Sequence, residues 1–363
     1  MTATTPGLVC AHHHLYSALA RGMPAPPKTP DSFASVLEQI WWRLDCALDL
    51  EMLEWSAKLG ALEALERGTT CIIDHHESPN AIEGSLDVIA SACAEVGVRV
   101  SCAYGVTDRH RKTRGTSSAR IPVDPQPSAL DRPTRMTDGA RRGLAENERF
   151  LKAGGRGYVG VHAAFTCADE TIEAVVGLAK DLGAGVHVHV AEGPDDADAG
   201  TRWEPFATDD WLLVHCVHLD RELPGTIAHN PRSNMNNAVG YAEPARRPNR
   251  VVLGTDGIGA DMLEEFRLAY ARLRESDLTA VPDQAWQWLT NSWELFPEAL
   301  HDLVTWDYEP MEPWHLAFST GVGPSSVEID GKLVLDRGRV ISVDVDEVRR
   351  KAAEQAQRLF ARL

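Results

Sequence analysis

Eight short apolar runs, each bounded by Gly, Asp or Asn, limit the folds open to this 363-residue chain more than any other feature. They are LVCAHHH (8–14), TTCIIDHH (69–76), VRVSCAYGVT (98–107), YVGVHAAFT (158–166), AGVHVHVAE (184–192), WLLVHCVHL (211–219), GTIAHN (225–230) and RVVLGTD (250–256). Near-continuous apolar runs of this length read as strands buried on both faces, which is the habit of parallel sheets. Between them lie helical stretches such as DLEMLEWSAKLGALEALERG, NAIEGSLDVIASACAEVG and DETIEAVVGLAKDLG, each ending in a Gly suited to a C-cap. Strands alternating with helices predict an α/β protein, and eight units predict a closed (β/α)8 barrel of the TIM type.

Six of the eight runs carry a His, and a seventh an Asp, toward their C-terminal ends. That is the face on which barrels of this kind place their active sites. Side chains two apart on a strand share a face, so His12 and His14 point together into the barrel and His13 points away. His187 and His189 share a face in the same way. Glu192 lies three residues beyond His189, His215 ends the sixth run and Asp256 the eighth. Polar groups gathered at one end of a barrel need a partner to offset their desolvation, and a divalent cation supplies one.

Composition narrows the alternatives. The formal net charge of −17 argues against a nucleic-acid or anionic-membrane partner, since both need Lys and Arg facing phosphate. Seven cysteines without paired spacing suggest a reduced, cytoplasmic chain. No apolar run has the roughly 18 residues of a membrane span, and MTATTPGLV does not read as a signal peptide.

The quoted motifs also carry a resemblance. PGLVCAHHHLYSALARG, HVHVAE, LVHCVHL, HNPRSNM and LGTDGIGADM together resemble the amidohydrolase superfamily, in its aminohydrolase/chlorohydrolase branch. WWRLDCAL, DHHESPN and NPRSNMNNAVGY are most similar to SsnA-type aminohydrolases. The resemblance implies one divalent metal, Zn2+ or alternatively Fe2+, held by His12, His14, His189 and Asp256. No carboxylated lysine has a counterpart on strand four, where His162 stands instead, so one metal and not two is expected. It implies a hydrolytic deaminase of a small purine-, pterin- or pyrimidine-like heterocycle. Asp256 would take a proton from water, His215 would polarise the water or stabilise the adduct, and Glu192 would protonate a ring nitrogen and the leaving ammonia. Alternatives are hydrolysis of a cyclic amide or a chlorinated ring by the same site, or an inactive homologue serving as a binding protein.

Other residues divide between site and scaffold. His162, Asp45, His76, His229, Asn230 and Trp42 are candidate substrate contacts; Trp41 and Arg43 adjoin them in sequence. His75 competes with His76, His187 reads as a core residue in a second layer, Cys10 and Cys216 as small core residues, and Asp261 as pocket wall. The Arg-, Pro- and Ser-rich stretch 109–142 reads as a mobile surface loop, with a lid as the alternative.

The ends depart from the resemblance. The strands that precede the barrel in relatives are expected to have no counterpart before Leu8, so a barrel over 1–300 is expected with a remnant β appendage and a closing helix over 301–363. The pair SSVEIDGKLVLDRGRVISV should turn at Asp330-Gly331. An open sheet edge there suggests a homodimer. DRELP and EPARRPN are too short for ordinary crossover helices, which predicts a barrel trimmed around strands six to eight.

Overall fold

The structure is a computed structural model that describes residues 2–110, 121, 132–257 and 259–363. Strand β1 (Ala3–Thr5) precedes β2 (Leu8–His14), β3 (Thr69–His76), β4 (Arg99–Tyr104), β5 (Val159–Ala163), β6 (Val186–Val190), β7 (Leu212–His215), β8 (Thr226–His229), β9 (Val251–Leu253) and the two-residue β10 (Asp256–Gly257). From β2 onward these strands form two parallel sheets, in the orders β10-β2-β3-β4 and β5-β6-β7-β8-β9. Each strand falls on one of the apolar runs, and β2, β3, β5, β6, β7, β8 and β9 are buried along their whole length.

Backbone bonds link the two sheets at both margins. On one side Cys102 N–H donates to Arg156 O (2.9 Å) and His162 N–H to Val106 O (2.9 Å). On the other, the chain leaves β9 through Gly254 and Thr255 and pairs with β2 as β10, where Asp256 lies opposite His13 and Thr255 N–H donates to His12 O (3.0 Å). Gly254 permits this approach, since a Cβ there would stand 2.7 Å from the His12 carbonyl oxygen. Asp256 is thereby carried to the same level as the histidines of β2.

The expected helices form for local reasons. Leu50–Leu65 starts where the Asp49 carboxylate accepts from Met52 N–H. Ser85–Val96 and Asp169–Leu182 stop at Gly97 and Gly183, both left-handed. Between β7 and β8 the chain returns through residues 216–225 with no helix, as the short link predicts. The β8–β9 link differs: its first residues form a six-residue helix, Pro231–Asn236.

A third sheet has the order β1-β11-β12-β13-β14, adding β11 (Leu303–Trp306), β12 (Pro324–Ile329), β13 (Lys332–Asp336) and β14 (Arg339–Val340). Asp330 and Gly331 have φ of 51° and 72°, the paired left-handed geometry of a tight hairpin turn. Contrary to the expectation that no strand precedes Leu8, Ala3–Thr5 forms one and pairs antiparallel with β11. The small sheet therefore draws a strand from the far end of the chain. The helix Val345–Phe360 follows, capped by Asp344.

Within 109–142, the helix Asp138–Lys152 already begins, so the stretch is not all loop. Residues 111–120 and 122–131, on which the lid alternative turns, lie outside the described residues. All seven cysteines are free and buried, and no described helix is long and apolar enough to cross a membrane.

Candidate metal centre and cavity

Strand alternation sets the site. His12 and His14 face the interior from β2, while His13 turns toward the helix side, where its Nδ1 lies 2.7 Å from Thr255 Oγ1. His189 on β6 and Asp256 on β10 face the same space. One ligand atom from each of His12, His14, His189 and Asp256 lies within 4.8 Å of every other, and all four residues are buried.

Hydrogen bonds behind the rings fix which nitrogens face inward. His14 Nδ1–H donates to His75 O (2.5 Å) and His189 Nδ1–H to His162 O (2.8 Å). A carbonyl can only accept, so in the neutral form of each ring, the form that binds a metal, Nε2 carries the lone pair. These two atoms are 3.3 Å apart, and Asp256 Oδ1 lies 2.9 Å from His14 Nε2 and 3.1 Å from His12 Nε2. Two nitrogens each about 2.0–2.1 Å from a tetrahedral zinc stand about 3.3 Å from one another. The donor set and its spacing fit a divalent cation.

Electrostatics agree. Burial opposes a charge on His14, yet the Asp256 carboxylate outweighs it and raises that imidazole to about 9. Burial lowers His189 well below the ordinary histidine range. The Asp256 carboxyl stays well below its usual range despite burial, because His12 and His14 face it. The position between these groups attracts positive charge.

A second layer supports the first. His187 Nε2 lies 2.9 Å from His12 Nδ1, and His75 Nε2–H donates to Val161 O (3.2 Å) beneath the rings of His14 and His189. His187 thus occupies the layer expected of it and orients His12.

Beside the centre stand Glu192 and His215. His215 Nδ1–H donates to Asn234 Oδ1 (2.8 Å), so its Nε2 faces Glu192 Oε2 at 3.3 Å and Asp256 Oδ2 at 4.0 Å. Burial pushes the Glu192 carboxyl up to about 7, with His215 pulling against it. Ser233 Oγ donates to Asp256 Oδ2 (2.5 Å), and Asn237 Nδ2 donates to Glu192 Oε1 (3.4 Å). Ser233, Asn234 and Asn237 were not singled out in the sequence. The one signal for them is the i, i+4 spacing of Ser233 and Asn237 at the helix after β8, which places both over the site.

Four backbones here are left-handed without glycine: Ala191 (φ 49°), His215 (70°), Cys216 (54°) and Asp256 (59°). Such conformations cost about 1–3 kcal/mol each and persist where surrounding structure enforces them. They turn Glu192, His215 and Asp256 inward at the strand ends.

The centre opens into a cavity. Trp42, Asp45 and His162, three of the candidate substrate contacts, line it together with Trp41. Three other expectations fail. His76 faces outward from β3, with Nε2 2.7 Å from Ser78 Oγ and its ring against Tyr16 and Tyr104, because it has the opposite parity to His75. His229 packs against Tyr241 and Trp288 on the outer side of β8. Asn230 lies behind His215, with Nδ2 3.5 Å from its Nδ1, rather than on the cavity wall. Nor is Asp261 pocket wall, since it caps the helix Met262–Ser276. Arg43 turns from the cavity to the Leu363 carbonyl. Cys10 is buried against Thr255 and Cys216 is buried too, both as small core residues. Glu77 and Arg109, unmarked in the sequence, join Asp45: the Arg109 guanidinium bonds both carboxylates.

Comparison with known proteins places this arrangement. The profile of the amidohydrolase family matches residues 3–291. A 5'-deoxyadenosine deaminase from Methanopyrus kandleri is 31% identical over 293 residues, 73% of this chain and 60% of that protein, so the chain spans under two thirds of that relative. A 5-methylthioadenosine/S-adenosylhomocysteine deaminase from Pelotomaculum thermopropionicum is 28% identical over 98% of this chain and 86% of its own length. Among solved structures, a zinc-bound adenosine deaminase from Xanthomonas campestris superposes with a TM-score of 0.73 at 23% identity, covering 99% of this chain and 86% of that one. A variant of atrazine chlorohydrolase from Arthrobacter aurescens, complexed with zinc and atraton, gives 0.78 at 19% identity, covering 98% and 88%. The match over most of the chain, carrying the His/Asp cluster with it, shows that this protein belongs to the amidohydrolase family.

Proposed function

We propose that this chain is a metal-dependent hydrolytic deaminase of a small nitrogen heterocycle. The observation that carries the reading is the convergence of His12, His14, His189 and Asp256, with Glu192 and His215 beside them, at the floor of an aromatic-walled cavity. Curated relatives named as deaminases of adenosine derivatives support it. Zinc, present in structural neighbours, is the cation we favour over Fe2+. We read the two bridged parallel sheets as one eight-stranded barrel whose C-terminal face holds the site. Seven buried free cysteines support a reducing, cytoplasmic setting, and the exposed rings of Trp314 and Phe318 support a homodimer.

A divalent cation in this site supplies the positive charge that lets water act as a nucleophile near neutral pH. The rest is done by the chain. Asp256, with Oδ2 held by Ser233 and Oδ1 among the imidazoles, is positioned to accept a proton from the attacking water. Glu192 holds a proton to about pH 7 and can deliver it to a ring nitrogen and then to the departing amine. His215, fixed by Asn234, faces both carboxylates and stabilises charge that develops between them. Trp41 and Trp42 offer flat apolar surface to a planar ring.

Glu192 also suits an amine leaving group. An amine must leave protonated, whereas chloride leaves without a proton, and a buried carboxyl raised to about 7 is a proton donor. An intact acid–base set argues against an inactive homologue. The test is ammonia release from purines, pterins and pyrimidines by zinc-loaded protein. Release from at least one ring, lost on chelation and restored by zinc, is expected. Chloride release without ammonia release would overturn the reading.

A further inference from the structure

The helical turn after β8 carries one further charged side chain toward the site, Arg232, the second residue of Pro231–Asn236. It does not line the cavity, and it is tied in two directions at once. Toward the helix Met262–Ser276, its Nε donates to Glu265 Oε1 (2.9 Å) and its backbone N–H to Glu265 Oε2 (3.3 Å). Toward the metal centre, its Nη2 donates to two backbone carbonyls, Thr255 O (2.9 Å) and Gly257 O (3.3 Å). These carbonyls stand on either side of Asp256.

Asp256 needs such a hold. Its backbone is left-handed (φ 59°) without being glycine, and its strand is two residues long at the margin of its sheet. A residue of that kind persists only where its surroundings enforce it. The bond from Thr255 N–H to His12 O fixes the turn toward β2, and Arg232 fixes it from the opposite direction. Gly259 makes room for this, since a Cβ there would overlap Arg232 Nη2. Glu265 is 1% exposed, and burial pushes its carboxyl up to about 8 while Arg232 opposes the rise. A guanidinium presents its N–H groups in a rigid planar fork, so a partner that fixes Nε also aims Nη2. An ion pair that only tied two helices together would account for the bonds to Glu265. It would not account for Nη2 bridging the two carbonyls beside Asp256.

We propose that Arg232, aimed by Glu265, is a positioning residue that locks the left-handed turn at Asp256 and so sets where its carboxylate stands. The next residue, Ser233, holds Oδ2 of that carboxylate, so two neighbours on one helical turn grip the backbone and the side chain of the same residue. The inference rests on Asp256 as metal ligand and proton acceptor, and it adds the group that keeps it in place. Because Arg232 lies outside the cavity, its loss should fall on turnover and on the metal's coordination rather than on substrate affinity.

The test separates the lock from the ion pair. Arg232→Lys keeps the charge and loses the fork. Arg232→Met combined with Glu265→Gln removes both groups without stranding a buried acid. Gly259→Ala leaves Arg232 and Glu265 in place, and its methyl displaces the guanidinium from the carbonyls. That variant guards against a simple failure to fold, because only the far end of a flexible side chain has to move. Each protein is loaded with zinc for kinetics and with Co2+ for its visible absorption, which reports ligand geometry. Ammonia release should show kcat lowered by about tenfold or more, the scale of groups behind a metal ligand. KM should stay within about twofold of the wild type, as for an interaction felt in turnover and not in binding. The cobalt bands should change in position or intensity in the same variants. Unchanged cobalt bands, or wild-type kcat in either Arg232→Lys or Gly259→Ala, overturns the lock. A wild type that releases no ammonia, with cobalt bands that still change in the variants, would retain the lock and overturn the deaminase reading.

Discussion

His187 touches neither cavity nor solvent, yet its Nε2 holds His12 Nδ1 at 2.9 Å and so aims the opposite nitrogen at Asp256. Partners behind a metal ligand typically govern about 10–100-fold in metal affinity. His187→Ala is therefore expected to weaken zinc binding by about that factor, read by chelator competition, with the fold preserved. Asp256→Asn should lower turnover by at least about 100-fold, on the scale of a lost general base. His13→Ala should be mild, since that ring faces Thr255 and not the site. Glu192 sets a pH dependence. Its carboxyl is raised to about 7, so the proton-donating form is present below that pH and is lost as pH rises through it. kcat/KM should accordingly fall above about pH 7, and Glu192→Gln should abolish that limb along with most activity. At this scale the sequence was legible wherever strand parity decided the outcome, as for His12, His14 and His189. It was not legible at 75–76, where two adjacent histidines have opposite parity and only the register of β3 selects His75. Nor did it show the left-handed turns at His215 and Asp256, because no glycine marks them.

Elements carry these side chains to one place, and two junctions are decisive. The first is Gly254, where β9 hands over to β10. Gly254→Val would press a side chain against His12 O and Asn230 Oδ1, moving Asp256 off β2. Loss of bound zinc in a variant that remains folded by circular dichroism is the expected result. The second is the chain's end. Arg362 bonds Ala47 O and Asp49, and Arg43 bonds the Leu363 carbonyl, tying the tail to the helix that presents Trp42 and Asp45. Removing residues 358–363 should raise KM severalfold while zinc content stays unchanged. Strands and long helices were readable because their apolar periods are strong. β1 was missed because three half-exposed residues, Ala3–Thr5, have no period to read. The helix Pro231–Asn236 was missed because Pro, Ser and Asn favour turns, and only its position after β8 makes a single helical turn worthwhile.

Across the whole molecule, a few distant segments would share the proposed cation site, which would link occupancy to folding. A ligand bound only by the native state stabilises it by about 2.7 kcal/mol at one hundred times its Kd. Chelation should lower Tm, and zinc should restore it. The α/β class and the strand order followed from the sequence. The margins between the two parallel sheets did not, since they depend on bridging bonds such as His162 N–H to Val106 O that no sequence pattern announces. The central claim is that His12, His14, His189 and Asp256 hold one divalent ion. It is tested most directly by counting metal per chain in zinc-reconstituted wild type and in His14→Ala and His189→Ala. The account predicts one zinc in the wild type and well under one in each variant that remains folded. A wild type that takes up no metal, or variants that retain a full equivalent, would contradict it.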